Sequence, residues 1–124
     1  MAPVTTLFSG IRICNFSSPH EFKFDDGSTL PACDRERSQK LTLKAKEEET
    51  QQENWVDIQI LFQMSEPVER ELQELQTRED IDIILIPFPV MESLKRAGME
   101  IGKCRVVRMK DRTNKIAFSN RFCI

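Results

Sequence analysis

The sequence predicts an α+β fold: a mixed, largely antiparallel sheet of about 6–7 strands with two helices, at 66–78 and 89–97. Three observations carry that prediction. Several short segments alternate apolar and polar residues, two segments repeat apolar residues at helical spacing, and the two kinds of segment interleave in the second half of the chain.

Ile11-Arg12-Ile13-Cys14-Asn15-Phe16 alternates as a half-buried strand does. Phe22 and Phe24 flank Lys23, and the Asp25-Asp26-Gly27 that follows is a turn signal, because glycine tolerates positive φ. Ser28 to Pro31 is then the returning strand of a short hairpin. Residues 34–40 are polar and charged and read as a loop or a single helical turn. Leu41, Leu43 and Ala45 alternate with Thr42, Lys44 and Lys46, and Val56, Ile58, Ile60 and Phe62 alternate with Asp57, Gln59, Leu61 and Gln63. The solvated connection Glu47 to Asn54 joins them, so the pair reads as a long antiparallel hairpin with a flexible acidic tip.

The period then changes. Ser65 is a good N-cap, Pro67 suits a first helical turn, and Val68, Leu72 and Leu75 recur at i, i+4 and i+7, which predicts the helix over 66–78. Ile81 to Ile86 is apolar except for Asp82, as in a central strand covered on both faces. Pro87 and Pro89 end that strand and open the second helix, with Val90, Leu94 and Ala97 inward and Gly98 as its cap. Cys104 to Met109 is a strand and Asp111 to Asn114 a polar turn. Ile116, Phe118, Phe122 and Ile124 mark a final strand, with an irregularity near Asn120, which would otherwise share their core side. Lys115, Ala117, Ser119 and Arg121 are assigned to its opposite face, small residues between two cations.

Length and composition bound the rest. A chain of 124 residues is expected to form one domain, 1–124, and 40% hydrophobic with 31% charged residues is the balance of a globular protein. The longest apolar run, Ile83 to Met91, is interrupted by two prolines and falls short of the roughly 20 residues a membrane-spanning helix needs. Met1 to Gly10 lacks the basic and apolar regions of a secretory signal, so a cytoplasmic location is expected. Cys14, Cys33, Cys104 and Cys123 are widely spaced, contain no Cys-x-x-Cys pair and are expected as free thiols in a reducing compartment. Cys14, His20 and Cys33 lack the close pairing of structural zinc ligands, and neither a metal nor another cofactor is expected.

The net charge of −2 hides a segregation. Residues 95–124 carry nine basic and two acidic side chains, a net +7, and the first 94 residues carry −9. A basic end of this kind attracts phosphates, carboxylates or an acidic protein surface. Catalysis is disfavoured: the single histidine, His20, sits in Ser17-Ser18-Pro19-His20 with no nucleophile elbow around it, and the four glycines are too scattered for a phosphate loop. Nucleic acid is disfavoured as well, because Phe118 and Phe122, the aromatics of the basic segment, are both assigned to the core side. Arginine makes bidentate contacts with phosphate or carboxylate, and Arg105, Arg108, Arg112 and Arg121 lie on two strands expected to pair, with Lys115 on the same face of the last strand as Arg121. Arg105 and Arg108 point to opposite faces of one strand, so a site using all four needs an interface between copies.

The stretch Ile13-Cys14-Asn15-Phe16-Ser17-Ser18-Pro19-His20, followed by Asp26-Gly27 and Leu30-Pro31, resembles the opening of small uncharacterised bacterial and bacteriophage proteins that begin with an Asn-Leu-Thr-Pro-His tract. This chain has one residue inserted in the tract, Phe16 and Ser17 in place of Leu and Thr, and no Pro-Pro-Ser-Gly turn after it. The resemblance covers about the first forty residues, with a looser echo at 81–97 and at Val107 to Asp111. It implies a phage or prophage accessory protein with no particular activity. Asn15 and His20, which lie in the tract, are counted with the candidate ligand-binding residues. Two functions are therefore expected. One is a non-enzymatic binder of a small anionic ligand, such as a nucleotide or nucleotide-derived signal. The other is an inhibitor or adaptor that docks a partner protein through its charged surface or acidic hairpin tip.

Overall fold

A computed structural model describes residues 2–124. The chain is α+β: a mixed seven-stranded sheet, a separate two-stranded hairpin and three helices among the described residues. The elements are β1 (Thr5–Thr6), β2 (Arg12–Asn15), β3 (Phe22–Phe24), β4 (Thr29–Leu30), α1 (Arg35–Lys40), β5 (Lys44–Gln51), β6 (Val56–Gln63), α2 (Glu66–Gln76), β7 (Ile83–Leu85), α3 (Phe88–Arg96), β8 (Cys104–Asp111) and β9 (Ile116–Cys123). The sheet order is β1-β2-β7-β8-β9-β3-β4. β7 is parallel to both β2 and β8, β9 is parallel to β3, and the other neighbours are antiparallel.

The apolar run 81–86 becomes the strand the sequence predicts, flanked on both sides. Ile84 is fully buried among Cys14, Cys104 and the helical residues Val68, Leu72, Leu75, Val90, Met91 and Leu94. Leu85 points the other way, into a second cluster with Leu7, Ile13, Phe24, Leu30 and Ala117. The sheet curls around this second cluster, which brings its two ends together. The amide of Phe8, after β1, donates to Ser28 Oγ at 2.8 Å, and the amide of Cys33, after β4, donates to Ser18 O at 2.8 Å.

The helices form for local reasons. Pro67 occupies the first turn of α2, where a missing N–H costs nothing, and the chain enters α3 at Pro87 with Pro89 in the first turn. The side chain of Gln76 on α2 fixes the loop before β8: Nε2 donates to Ile101 O at 2.9 Å and Oε1 accepts from Lys103 N at 2.8 Å. This contact passes where a Cβ on Gly102 would lie 2.5 Å from Gln76 Oε1, and Gly102 has φ +51°, so the position requires glycine. Residues 34–40, read as a loop or one turn, form α1, capped by the Asp34 carboxylate accepting from Arg37 N at 2.9 Å.

The hairpin departs from expectation in two ways. Glu47 to Gln51 is not a flexible connection but continuous strand, and the turn is confined to Gln52, Glu53, Asn54 and Trp55. The alternation of β6 also does not mark a half-buried face. Every residue of β5, and all of β6 except Leu61, is exposed. Leu41, assigned to the first strand of this hairpin, instead closes α1 and is buried in the helical core.

No helix of the described residues is long and apolar enough to cross a membrane. The four cysteines are unpaired thiols, and burial pushes Cys14 and Cys104 up to about 11.

Two outcomes follow from the packing of β7. Ile84→Asp places a carboxylate without a partner between two layers, at a cost on the order of several kcal/mol, and is expected to abolish the cooperative thermal transition seen by circular dichroism. Next to it, Arg12 donates to Asp82 through its amide at 2.9 Å and its guanidinium at 2.9 Å, and these bonds hold the Asp82 carboxyl down at about 2. Because the folded value lies below the unfolded value of about 4, the pair's stabilisation is complete above that pH and lost as pH falls toward 2. The urea midpoints of the native chain and Asp82→Asn should therefore differ at neutral pH and converge in acid.

Candidate functional site

The helical layer covers β8 only as far as Val106, and no residue of β9, β3 or β4 belongs to its core. The outer side of the sheet beyond that point is open. Alternation along β8 places Arg108 and Lys110 on this outer side, since Val107 and Met109 face the enclosed cluster. On β9, Ala117 and Ser119 are buried, so Phe118 between them faces outward.

Here the structure corrects the sequence reading of the last strand. Phe118 is not a core residue, and Ala117 and Ser119 do not leave a space between cations; they face inward. The cause is the predicted irregularity, which is larger than one residue. Val107 pairs with Phe122 and Met109 with Ala117, so Arg108 alone spans the four β9 residues Phe118 to Arg121. That excess resets the register. Phe122 keeps its place in the core, and Arg121 is left exposed on the outside.

The result is an aromatic ring between cations. Lys110 Nζ lies 5.8 Å and the Arg121 guanidinium carbon 5.2 Å from the centroid of Phe118. Contacts of this type contribute about 0.5–1 kcal/mol each at exposed sites. Lys23 on β3, opposite Ile116, is exposed beside them. The nearby carboxylates are largely committed. Asp25 accepts from Ser119 N at 2.9 Å and from Lys110 Nζ at 3.4 Å, and these partners, Ser119 first, hold its carboxyl below the ordinary aspartate range. Asp111 accepts from the Asn114 amide at 3.1 Å and Nδ2 at 2.7 Å, which closes the β8–β9 turn and lowers its carboxyl in the same way. Arg108, Arg112, Lys115 and Arg121 have no carboxylate at ion-pairing distance among the described residues.

The seven candidate residues therefore divide. Arg108 and Arg121 belong to the open outer face, with Lys110 as a third cation. Arg112 and Lys115 lie in the adjoining turn, where Lys115 is held at φ +57°. Arg105 is on the other side of β8, and its guanidinium donates to the carbonyls of Gly102 at 2.8 Å and Cys104 at 2.7 Å. Asn15 is a structural residue: its Nδ2 donates to Ser18 O at 3.1 Å and Pro31 O at 3.0 Å, and its Oδ1 accepts from Ser18 N at 3.0 Å.

His20 is exposed at a different place. It lines a cleft of about 340 Å³ with Ser17, Ser18, Phe62, Pro87 and Pro89, beyond the carboxyl ends of the parallel strands β2 and β7. Open α/β sheets commonly bind ligands at that end. The sequence reading missed the cleft, and no motif marks it. It also missed Phe118, which the break of alternation at Asn120-Arg121 could have flagged.

No protein-family model, curated protein or solved structure matches the chain.

The hydrogen bonds of Asn15 carry a prediction. Asn15→Ala leaves the buried Ser18 N and the part-buried Pro31 O without this partner and should lower the free energy of unfolding by about 2 kcal/mol in urea titration. A role in anion binding would instead reduce ligand affinity at unchanged stability.

Proposed function

We propose that the chain is a non-enzymatic binding protein for a small anionic ligand, a nucleotide or another phosphate compound, held on the outer face of β8 and β9. The observation that carries this reading is the convergence of Lys110 and Arg121 on Phe118, with Arg108 on β8 opposite the bulge and free of carboxylates. Guanidinium groups supply paired donors to phosphate oxygens, and the outward-facing, half-buried phenyl ring of Phe118 offers a stacking surface to a base. Lys110 has only a long contact to Asp25, which a phosphate can outcompete. A second reading, a protein-interaction module, is favoured by a separate observation: Trp55, Val56, Ile58, Ile60 and Phe62 on the hairpin are all large, apolar and exposed.

Binding to the native state raises the melting temperature by mass action, by about 3–6 °C for each kcal/mol in a domain of this size. Nucleoside triphosphates and inorganic triphosphate are expected to produce such a shift at low salt, and added salt should diminish it. Arg121→Ala and Arg108→Ala should each weaken binding about tenfold, the loss of one charge-assisted contact; the unliganded melting temperature should stay within a degree or two for Arg108→Ala and fall by about 2–6 °C for Arg121→Ala, which also loses its contact with Phe118. Phe118→Leu should weaken the nucleotide more than the triphosphate. A flat screen, or unchanged affinity in both arginine variants, would remove this face as the site.

A further inference from the structure

The molecule manages its sheet edges unequally. The seven-stranded sheet ends in β1 and β4, each only two residues long, so it presents almost no edge to another chain. The hairpin does the opposite, with two eight-residue strands and no sheet beside either. The amide of Gln52 donates to Trp55 O at 2.8 Å, which makes that pair hydrogen-bonded and fixes the alternation below it. Asp57, Gln59 and Leu61 then bond to β5, and Val56, Ile58, Ile60 and Phe62 turn their N–H and C=O groups away from it. Phe62 O is taken by Ser93 Oγ of α3 at 3.2 Å. The groups of Val56, Ile58 and Ile60 have no backbone partner outside the hairpin among the described residues.

The two edges also differ in charge. β5 carries Lys44, Lys46, Glu47, Glu48 and Glu49, the kind of charged edge that prevents pairing. β6 carries one charge, Asp57, whose carboxylate accepts from Trp55 Nε1 at 2.9 Å and Gln52 Nε2 at 3.0 Å.

We propose that β6 pairs antiparallel with β6 of a second copy, across a two-fold axis at Ile58, to make a four-stranded sheet. The register follows from the edge. Only Val56, Ile58 and Ile60 offer free groups, and centring on Ile58 matches Val56 with Ile60 of the partner subunit and the reverse, for about six backbone hydrogen bonds. Centring on Gln59 would need Phe62, which α3 occupies. In the Ile58 register Asp57 faces Gln59 of the partner subunit, so no like charges are opposed. The acidic runs of β5 become the outer strands, about 14 Å apart at the usual strand spacing and beyond the screening length at physiological salt. Pairing through β5 would bring those runs together. Antiparallel pairing also carries the two bodies to opposite ends of the new sheet. The side chains of Val56, Ile58 and Ile60 meet their counterparts on one face, which shields part of their exposed surface. An isolated two-stranded ribbon is marginal in water, and the added strands supply what it lacks.

Sedimentation velocity over a concentration series should show a reversible monomer–dimer equilibrium. Residue-resolved amide exchange supplies the register: on dilution the amides of Val56, Ile58 and Ile60 should lose protection, and those of Gln59 and Leu61, bonded within the hairpin, should keep it. Ile58→Lys is expected to raise the dimer dissociation constant at least tenfold, and Glu48→Lys, on the outer strand, to leave it within twofold. A monomer at every concentration, or a dimer in which the three edge amides remain unprotected, would overturn the proposal. Neither result would affect triphosphate binding on the β8–β9 face, which is scored separately by thermal shift.

Discussion

Ile84 and Leu85 are consecutive residues that must be buried on opposite sides of one sheet, and that requirement determines where the other elements lie. A strand apolar on both faces needs a layer above and a layer below. Here α2 and α3 form one layer, and the curled sheet itself forms the other by closing over Leu85. The solution is asymmetric. The helical layer reaches the first residues of β8 and stops, so the far half of the sheet is closed inside by its own curvature and left open outside.

The curl has to be fastened, because β1 and β4 are too short to pair into a closed barrel. Asn15 performs part of that fastening at the end of β2. One carboxamide joins the turn that follows it, at Ser18, to the strand end at Pro31 from the opposite edge of the sheet. Ser28 adds a second link through Phe8 N, and Arg37 a third through Phe16 O at 3.3 Å. The bonds of Asn15 hold the loops after β2 and β4 near each other, and the bond of Ser28 holds the end of β1 to the β3–β4 turn. The stretch from Asn15 to His20 is thus an asparagine that joins two loops, followed by a proline and an exposed histidine.

Most of the fold was legible because local chemistry and global packing agree. Pro67 and Pro89 sit where the helices start, Asp25-Asp26-Gly27 makes its turn, and Ile81 to Ile86 holds the buried strand. The exceptions share one cause, that period alone does not say whether a face is covered. Val56, Ile58, Ile60 and Phe62 alternate as faithfully as any core strand, yet all four are exposed, and the ribbon meets the body at its Phe62 end, where that carbonyl accepts from Ser93 Oγ of α3. At β9 the alternation itself was misleading. Four residues on one strand against one on the other shift the phase, so a pattern that puts Ile116, Phe118, Phe122 and Ile124 on one core side fails at Ile116 and Phe118, holds at Phe122 and fails again at the exposed Ile124. The charge asymmetry was visible as a sum, but its placement depended on that bulge. Arg108, Lys110 and Arg121 share a face only because the register breaks between them, and Arg105 is left behind on the other side.

A sheet face without a covering layer must be polar, but solvation alone does not require the polar groups to share a sign. Mixed charges would solvate the outer face of β8 and β9 equally well and would attract one another. Instead two cations, Lys110 and Arg121, lie on one phenyl ring with Arg108 unpaired on the same face, and the two nearest carboxylates are engaged by Ser119 and Lys110 and by Asn114. The hairpin presents the converse case, since a ribbon exposed on all sides has no reason to carry a line of Val and Ile on its uncharged strand. Each surface departs from what solvent alone would select, in opposite directions, and the two lie on separate elements. That separation makes the proposed anion site on the body and the proposed strand pairing on the arm compatible in one copy of the chain.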